Sequence, residues 1–408
     1  MKYCLIGEVL KHSYSQVIHG KLGLDYKLVE VEKEMLDDFI KNSNYDGFNV
    51  TIPYKKDVLK YMSYLSPVAQ SAGAVNTVVN KNGKFYGYNT DVDGMNYMIK
   101  RVGLTLTDKV VMILGSGGTS NTAVTLAKRE GAKEIIVVSR SGEINYENCY
   151  EYQGVEIIIN STPVGMFPKV FASPIRLEPF KNLQGVFDCI YNPKNTELII
   201  KARSLGIPCE DGLSMLVEQA LLAHDIWTGK THDNLATEKM IKEIRKLTTN
   251  IILCGMPSAG KTTIGKKVAK LLSLNFFDSD DEITKKTGKT PAQIIIESGE
   301  TAFRDIESEV VKELSIKSGA VISLGGGAVL RSENVVNLKR NGTIVYIKRD
   351  LELLTANNRP ISQKDGIKSL YEKRKGVYEK VGDIIVENDT TVDNCAKKVV
   401  KYYENFSN

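Results

Sequence analysis

Two glycine-rich loops, each following a short apolar run, constrain this chain more than any other feature. The first occupies residues 115–118 after the apolar residues 110–114, and the second occupies residues 255–262 after the apolar residues 251–254. A buried strand, a glycine loop and a helix together form the unit that receives nucleotide phosphates in α/β proteins. The first loop has the dinucleotide form and the second the nucleoside triphosphate form. We therefore expect an α/β fold with two nucleotide sites.

Length and composition limit the possible classes of protein. The chain has 408 residues, which predicts two or three domains, and its 42% hydrophobic and 25% charged content is typical of soluble globular proteins. No apolar run approaches the roughly 20 residues of a membrane helix, and the N-terminus does not resemble a signal peptide. A net charge of +5 is too small to indicate a nucleic-acid partner. We expect a cytoplasmic protein that binds neither membrane nor nucleic acid.

The six cysteines support the same compartment. None lies in a Cys-x-x-Cys pair, and no pair of histidines at metal-binding spacing accompanies them. Free, mostly buried thiols in a reducing compartment are the simplest interpretation, and a structural zinc site is not expected.

Hydrophobic periodicity divides the chain into three parts. In the first part, strands are expected at 3–6, 26–31 and 48–52, and helices at 35–40 and 57–64. From about residue 96 to 211, strands alternate with helices, and continuous apolar runs such as 135–138 predict parallel strands buried on both faces. A helix is expected at 213–227. Residues 228–249 are polar and charged and predict a domain boundary, because a new strand–helix series starts at about 250.

The second glycine loop matches the P-loop pattern completely, with Gly255, Gly260, Lys261 and Thr262 in the required positions. Backbone N–H groups of such a loop and the start of the following helix attract phosphates. Lys261 is expected to reach the β and γ phosphates of ATP, and the Thr262 hydroxyl to ligate Mg²⁺. Thr263 is expected to complete the nucleotide contacts.

The residues after the P-loop indicate the phosphoryl acceptor. Asp278 and Asp280 follow an apolar run, and in an extended chain these two carboxylates would share a face. Three arginines and a glycine loop follow: Arg304 on a predicted helix, Gly325-Gly326-Gly327, Arg359 in a polar stretch that predicts a lid, and Arg374 on a basic helix. Each arginine alone could be a surface ion-pair partner. Together they favour an acceptor that is anionic and hydroxylated.

These motifs, in this order over residues 250 to 400, resemble shikimate kinase. The resemblance implies that Asp280 binds the ring hydroxyls of shikimate and helps take the proton from the attacking one. It implies that Asp278 acts near Mg²⁺ and that Arg359 closes with the lid onto the transferred phosphoryl group. The implied carboxylate site comprises Arg304, Arg374 and the backbone of Gly326 and Gly327. One departure from the family pattern is that residues 353–358, ahead of the lid, contain no arginine.

The first glycine loop predicts a dinucleotide site at Gly115, Gly117 and Gly118, with the small Ser120 at the third position of the motif. The next predicted strand, at 135–138, is followed by Arg140 rather than by an acidic residue. An arginine there can meet the 2′-phosphate of NADP, so NADP(H) is favoured over NAD(H). An ordinary surface arginine is the alternative.

Three short motifs in the first part carry reactive residues. Lys55 ends the stretch 47–55, Asn76 lies in the stretch 73–77, and Asp91 ends the stretch 87–91. Reduction of a ketone requires a hydride and a proton, and a lysine paired with an aspartate can hold the carbonyl oxygen and relay the proton. The alternative for Lys55 and Asp91 taken alone is a solvated ion pair.

Together with the glycine loop, these motifs resemble shikimate dehydrogenase over almost all of residues 1 to 240. The resemblance implies substrate contacts at Ser13, Ser15, Thr51, Asn76, Tyr191 and Gln219, proton transfer at Lys55 and Asp91, and a nicotinamide wall that includes Thr162 and Met166. It also implies that the C-terminal helices return to the first domain. The chain between Arg140 and Asn160 is shorter than the family pattern, so a helix of the nucleotide domain is expected to be missing.

These observations predict an α/β protein of three domains. They are a discontinuous substrate domain at 1–95 with 212–248, a Rossmann-like NADP domain at 96–211, and a P-loop kinase domain with a parallel sheet at 249–408. We expect NADPH-dependent reduction of 3-dehydroshikimate to shikimate, followed by MgATP-dependent phosphorylation of shikimate. We expect the two reactions to take place at independent active sites. A nucleotide-sensing regulator and a quinate dehydrogenase in the first half are the alternatives.

Overall fold

The computed structural model describes residues 1–10, 13–354 and 366–406. The chain divides into two compact units, Met1–Ile244 and Arg245–Asn408. The division lies within the polar and charged segment that the sequence predicts as a boundary.

The first unit opens with a mixed six-stranded sheet in the order β2-β1-β3-β5-β6-β4. Its strands are β1 (Lys2–Gly7), β2 (Asp25–Glu30), β3 (Gly47–Val50), β4 (Met62–Leu65), β5 (Thr77–Lys81) and β6 (Lys84–Tyr88), with helices α1 (Ser15–Lys21), α2 (Leu36–Asn42), α3 (Pro67–Ala72) and α4 (Asp91–Lys100). Strand β1 pairs in parallel with β2 and β3, whereas β5 is antiparallel to β3 and β6. The predicted helix at 57–64 is wrong: Asp57–Tyr61 is a 3₁₀ helix, and the next residues form β4.

A second sheet in the same unit is fully parallel, in the order β11-β10-β9-β7-β8. Its strands are β7 (Val110–Leu114), β8 (Glu134–Val138), β9 (Ile157–Asn160), β10 (Gly185–Asp188) and β11 (Cys209–Glu210), with helices α5 (Gly118–Arg129) and α6 (Glu197–Ser204). Residues 110–114 are buried throughout, as expected for a strand covered on both faces. Between β8 and β9 the chain forms only the 3₁₀ turn Cys149–Glu151, which confirms the expected loss of a helix.

Helix α7 (Leu213–Thr228) brings the chain back to the first sheet, and α8 (Asn234–Thr248) follows it. The Trp227 indole N–H donates to the backbone oxygen of Val78 in β5 at 2.9 Å. Helix α7 also packs closely on α4, because a Cβ atom at Gly94 would lie only 2.7 Å from the backbone oxygen of Met215. These contacts support the predicted return of the C-terminal helices to the first domain.

The second unit contains a five-stranded parallel sheet in the order β13-β14-β12-β15-β16. Its strands are β12 (Asn250–Cys254), β13 (Asn275–Asp278), β14 (Ala320–Ser323), β15 (Gly342–Lys348) and β16 (Ile384–Glu387). Its helices in the described residues are α9 (Lys261–Leu272), α10 (Ser279–Thr287), α11 (Pro291–Ser315), α12 (Ser332–Lys339), α13 (Ile367–Val381) and α14 (Val392–Phe406). One buried apolar cluster includes Ile252, Val311 and Val345 and forms the core.

Parallel strands place their carboxyl ends at one edge of a sheet, where α/β proteins bind ligands. In the second sheet, Leu114, Asn160 and Asp188 lie in register at the ends of β7, β9 and β10. In the third sheet, Asp278 and Ser323 lie in register at the ends of β13 and β14. Both glycine loops leave from such an edge.

Candidate active sites

The reactive pair expected in the first unit is assembled. The Lys55 ammonium donates to Asp91 Oδ2 at 2.6 Å, and both side chains are largely buried. Lys55 is fixed because its backbone oxygen accepts from the N–H of Val75 at 2.8 Å. Asp91 begins α4, where the Asn89 Oδ1 atom accepts from the backbone N–H of Asp91 at 3.1 Å. The turn that carries Lys55 and the first residue of α4 thus hold a cation and a carboxylate in hydrogen-bonding contact.

Two amide side chains lie beside each other near this pair. Asn76 Nδ2 approaches Gln219 Oε1 of α7 at 3.5 Å and donates to Thr90 Oγ1, just before Asp91, at 2.9 Å. The Asn76 Oδ1 atom accepts from the backbone N–H of Thr90 at 2.8 Å. The structure therefore brings together Asn76 and Gln219, which are 143 residues apart in sequence, as the resemblance implies.

A buried polar network behind Asn76 was not found from the sequence. The Tyr26 hydroxyl donates to Asn49 Oδ1 at 2.7 Å, and Asn49 Nδ2 donates to Thr77 Oγ1 at 3.0 Å. Thr77 Oγ1 in turn donates to Asn76 Oδ1 at 3.1 Å. Asn49 lies inside one of the three motifs, and an asparagine in the middle of a buried strand was the signal that could have revealed it.

The remaining substrate residues lie on neighbouring elements. Thr51 opens the turn that leads to Lys55, since its backbone oxygen accepts from the N–H of Tyr54 at 3.0 Å. Ser13 Oγ accepts from the backbone N–H of Ser15 at 3.2 Å, at the start of α1. Helix α1 shares an apolar cluster with α7, the helix that carries Gln219.

Tyr191 lies edge-on to Tyr14, with the ring centroids 6.0 Å apart. Burial, and to a smaller extent Tyr14, raises the pKa of the Tyr191 phenol to about 12. The phenol is therefore protonated at neutral pH, so Tyr191 can donate a hydrogen bond to an anionic ligand.

The dinucleotide loop has the conformation that its glycines predict. Gly115 has a φ of 110°, a region that side chains rarely adopt, whereas Gly117 and Gly118 face open space where added Cβ atoms would meet no other atom within 4 Å. Helix α5 begins at Gly118 and directs its free N–H groups toward this space. These are the features of a site for a pyrophosphate, so the residues fit NADP(H).

The other residues expected around the cofactor line this edge of the sheet. Arg140 is exposed and follows β8, the neighbour of β7. Thr162 follows β9 and Met166 is 45% exposed in the segment after it. A Cβ atom on Gly115 would lie 3.1 Å from Thr162 Cγ2, so the segment after β9 abuts the glycine loop.

In the second unit the P-loop lysine is buried and folded against its own loop. Lys261 Nζ donates to the backbone oxygens of Gly255 and Met256, at 3.1 and 2.9 Å. Gly255 and Gly260 both have positive φ values, 141° and 91°, which wrap the loop around the lysine. Thr262 and Thr263 are exposed in the first turn of α9. This arrangement fits the phosphates of ATP.

Thr262 and Asp278 meet at the edge of the sheet. The Thr262 hydroxyl donates to Asp278 Oδ2 at 2.8 Å, and Ser323 Oγ lies 3.5 Å from Thr262 Oγ1. A hydroxyl and a carboxylate beside a P-loop are oxygen donors of the kind that Mg²⁺ prefers. Among the described residues, no group of three or more His, Cys, Asp or Glu side chains could hold a metal ion. The Thr262 hydroxyl and the Asp278 carboxylate fit Mg²⁺.

The expected extended chain from Asp278 to Asp280 is wrong. Asp278 ends β13 and caps α10, with its Oδ1 atom accepting from the backbone N–H of Asp280 at 3.0 Å. A side chain that caps a helix favours helical structure in the residues that follow it, which overrides the strand pattern. The contact between these two residues therefore joins the Asp278 carboxylate to the backbone of Asp280.

The acceptor residues of the second unit surround the loop 325–327. A Cβ atom on Gly325 would lie 2.9 Å from Asp280 Oδ1, one on Gly326 would lie 3.3 Å from Arg374 Nη1, and one on Gly327 would overlap the Arg304 guanidinium. One carboxylate, two guanidinium groups and a backbone turn thus converge on one loop. Arg359 lies outside the described residues.

Glu307 belongs to this cluster, although no sequence motif pointed to it. Its Oε2 atom accepts from Arg304 Nη1 at 2.7 Å, and Arg304 Nη2 donates to Glu300 at 3.1 Å. Burial raises the pKa of the Glu307 carboxyl, opposed mainly by Arg304. Its position one helical turn after Arg304 was the available signal, because residues three apart on a helix are neighbours.

Comparisons with known proteins match both units. Residues 5–78 match the family model described as shikimate dehydrogenase substrate binding domain, and residues 257–404 match that described as shikimate kinase. A shikimate dehydrogenase (NADP(+)) of Clostridium beijerinckii is 38% identical over 257 residues, which are 58% of this chain and 95% of the relative.

Solved structures match the same part of the chain. Shikimate dehydrogenase 1 of Peptoclostridium difficile is 37% identical with a TM-score of 0.55, and the match covers 60% of this chain and 98% of that one. A chorismate mutase/shikimate 5-dehydrogenase fusion protein of Clostridium acetobutylicum is 35% identical with a TM-score of 0.57, covering 60% and 97% of the two chains. In the described residues, no helix has the length and apolarity required to span a membrane.

Proposed function

This chain belongs to the shikimate dehydrogenase family over its N-terminal part and carries a shikimate kinase domain after it, and we propose that it catalyses two consecutive reactions. The first unit reduces 3-dehydroshikimate to shikimate with NADPH. The second unit phosphorylates the 3-hydroxyl of shikimate with MgATP. The observation that carries this proposal is that each unit assembles a reactive group of its own: the Lys55–Asp91 pair in one and the P-loop with its acceptor cluster in the other.

In the reduction, Lys55 and Asp91 act on the carbonyl oxygen of the substrate. Bound NADPH would supply the hydride. The Lys55 ammonium, held by Asp91 at 2.6 Å, can donate a hydrogen bond to the carbonyl oxygen and deliver the proton that the product alcohol requires. We propose that Asn76 and Gln219 orient the ring hydroxyls, which their mutual contact supports. Ser13, Ser15, Thr51 and Tyr191 supply the hydroxyl donors for the carboxylate and ring.

For the cofactor we propose that Gly115, Gly117 and Gly118 receive the pyrophosphate, that Arg140 meets the 2′-phosphate, and that Thr162 and Met166 line the nicotinamide side. The positive φ of Gly115 and the open space at the next two glycines support the first assignment. The exposed position of Arg140 beside the loop supports the second.

In the phosphorylation, Asp280 holds the attacking hydroxyl and accepts its proton, while Arg304, Arg374 and the backbone of the 325–327 loop hold the substrate carboxylate. The approach of Asp280 and both guanidinium groups to this loop supports these roles. Bound MgATP would supply the phosphoryl group. Lys261, Thr262, Thr263 and Asp278 hold its phosphates and metal, and Arg359 is assigned to phosphoryl stabilisation on the family resemblance alone.

We also propose three domains: a substrate domain at 1–95 with 212–248, an NADP domain at 96–211 and a kinase domain at 249–408. The two separate sheets of the first unit and the packing of α7 on the first of them support this division. We propose a cytoplasmic location, supported by the six cysteines, all of which are free thiols.

A coupled assay with the full chain tests the proposal. Given 3-dehydroshikimate and NADPH, the protein should oxidise NADPH; after addition of ATP and Mg²⁺ it should release ADP, and only once shikimate has formed. Lys55→Ala should slow the first step severely but still phosphorylate added shikimate, and Lys261→Ala should do the reverse. Wild-type protein that performs neither step would refute the proposal in favour of a nucleotide-sensing regulator. Turnover of quinate faster than shikimate in the reverse direction would instead reassign the first unit.

A further inference from the structure

A fully buried carboxylate lies behind the cofactor wall of the first unit. Asp188 ends β10, in register with Asn160 at the end of β9, and neither side chain is exposed. Asp188 Oδ1 accepts from Asn160 Nδ2 and from the backbone N–H of Ile190, both at 3.0 Å. Asp188 Oδ2 accepts from the Thr196 hydroxyl at 2.7 Å. Three donors thus converge on one carboxyl group that none of the proposed catalytic steps uses.

The contact with Asp188 fixes the orientation of the Asn160 amide. Because Nδ2 of Asn160 is directed to Asp188, its Oδ1 atom faces the other way and accepts from the backbone N–H and hydroxyl of Thr162, at 3.0 and 2.7 Å. Thr162 Oγ1 then accepts from the backbone N–H of Val164 at 3.2 Å. The hydrogen bonds therefore run without a break from Asp188 to the segment assigned to the nicotinamide side.

This segment also contacts the pyrophosphate loop. The Ser161 hydroxyl donates to the backbone oxygen of Leu114, the last residue of β7, and an added Cβ atom on Gly115 would lie 2.9 Å from Ser161 Oγ. A shift of the segment after β9 would therefore change both the nicotinamide wall and the space beside the glycine loop.

We propose that Asp188 is a positioning residue for NADP(H), which acts through Asn160 to hold residues 160–166 against the glycine loop. The proposal rests on the proposed dehydrogenase function, and it adds a residue that touches neither cofactor nor substrate. It predicts that the affinity for NADPH depends on the charge of Asp188.

An ionised carboxylate suits this position, because it has only acceptor atoms and its three neighbours are donors. A protonated carboxyl would need an acceptor for its own O–H and would weaken the bonds to Asn160 and Thr196. Burial raises the pKa of Asp188 to about 7, opposed by Thr196, Ile190 N–H and Asn160 and reinforced by the carboxylate of Asp211. Of the neighbouring titratable groups, Cys189 is uncharged at these pH values because burial raises its pKa. The Asp188 carboxyl therefore changes charge near neutral pH.

The test is a titration of the full chain with NADPH, followed by the fluorescence of the bound nicotinamide, between pH 6 and pH 9. For wild-type protein we expect the dissociation constant to increase as the pH falls through about 7. Asp188→Asn mimics the protonated form, so at pH 8 it should bind NADPH about tenfold more weakly and lack the transition near pH 7. The 2′-phosphate of NADPH also titrates near pH 6, and Asp188→Asn retains that contribution, so the difference between the two proteins isolates the carboxyl group.

Two further variants move the transition in opposite directions. Thr196→Val removes a donor to the carboxylate and should shift the midpoint up by about one pH unit, whereas Asp211→Asn removes a repulsive charge and should shift it down. Phosphorylation of added shikimate by the second unit should be unchanged in all three variants. Wild-type protein that binds no NADPH would refute the dehydrogenase function itself. NADPH binding in Asp188→Asn with the wild-type constant and pH profile would overturn this inference alone.

Discussion

The two reactive centres differ in what holds their charged side chains. In the first unit, Lys55 and Asp91 contact each other at 2.6 Å, so the cation and carboxylate proposed for proton transfer are already paired. In the second unit, the Lys261 ammonium is bound to backbone oxygens of its own loop, and Arg304 is bound by Glu307 and Glu300. The first centre thus pairs its two proposed proton-transfer groups with each other. The second centre holds its cations with backbone oxygens and carboxylates that have no proposed role in the reaction.

This difference has a consequence for binding. A ligand that binds the first centre adds hydrogen bonds to a pair that can remain intact. An anion that binds the second centre must compete with internal acceptors, so part of its interaction energy is used to exchange one set of bonds for another. We therefore expect substitutions in the first centre to lower mainly the rate of the chemical step. We expect substitutions in the second centre to change mainly the affinity for the substrate.

The largest effect is expected at Lys55. Lys55→Ala removes the donor to the carbonyl oxygen and should slow the reduction at saturating substrate by about 10³-fold, in the range of general acid catalysis, with a much smaller change in KM. NADPH oxidation with excess 3-dehydroshikimate measures the rate. The kinase reaction of the same protein is the control and should keep its wild-type rate. A rate reduced less than tenfold would show that Lys55 and Asp91 form only an ion pair.

The next largest effect is expected at Arg304. Arg304→Met removes one guanidinium from the acceptor cluster and should raise the kinase KM for shikimate by about 10- to 100-fold, since charge-assisted bonds to a carboxylate are strong. Arg331→Met is the matched control: Arg331 pairs with the exposed Asp305 at 2.8 Å on the same helix-rich unit and should leave KM unchanged.

Glu300 sharpens the same comparison. Glu300 is 53% exposed and shares Arg304 with the buried Glu307. If internal partners compete with substrate, Glu300→Ala should lower the KM for shikimate by a factor of about two to three, which is the size of an exposed ion pair. A KM that rises in Glu300→Ala would show that Glu300 positions Arg304 rather than competes for it.

The parallel sheets and both glycine loops could be predicted well, because continuous apolar runs such as 110–114 and a P-loop pattern are local signals. Prediction failed where one local sequence pattern is compatible with two types of secondary structure. The 57–64 segment has helical spacing but becomes a 3₁₀ helix and an edge strand, since the strand pairs with β6. Asp278 follows a strand pattern, but its side chain caps a helix.

Residues of the candidate sites were predicted where a motif carried them and missed where only packing did. Lys55 and Asp91 stand in short motifs, and the structure pairs them. Asn49 and Asp188 bind side chains that lie 23 and 28 positions away, and Glu307 binds one on the preceding helical turn. Periodicity and composition carry no information about hydrogen bonds between distant side chains such as those of Asn49 and Asp188, whereas the spacing of Arg304 and Glu307 on one helix was a local signal.

At the dinucleotide loop, we expect substitutions of two glycines to affect folding and NADPH binding separately. Gly117→Ala adds a Cβ atom in open space, so the fold should be as stable as wild type, but NADPH affinity should fall about tenfold because the pyrophosphate must approach this backbone. Gly115→Ala should instead destabilise the first unit by about 1–3 kcal/mol, since its φ of 110° is strained for any side chain. Urea unfolding and NADPH titration measure both. Wild-type affinity in Gly117→Ala would place the cofactor elsewhere.

The last effect is expected at a charged cluster of the first unit. Like Lys55 and Asp91, its side chains contact one another directly, but no step of the proposed reaction is assigned to them. His232 Nδ1 contacts Asp225 Oδ2 at 2.7 Å, and Nε2 contacts Glu218 Oε2 at 3.2 Å. Glu218, with Asp225, raises the pKa of His232 to about 9, against burial. The unfolded value is about 6.5, so the protonated form favours folding. The stabilisation is complete below a pH of about 6.5 and is lost as the pH rises through about 9.

We expect the free energy of unfolding of the first unit to fall by about 1 kcal/mol more between pH 6.5 and 9.5 in wild type than in His232→Gln, because partial exposure weakens the ion pairs. Trp227 is the only tryptophan in the sequence, so its fluorescence during urea unfolding reports on this unit alone. Equal pH dependence in the two proteins would mean that His232 is neutral in the folded state. The kinase activity should show no corresponding difference between the variants, because the cluster belongs to Met1–Ile244, so a shared change would argue against independent units.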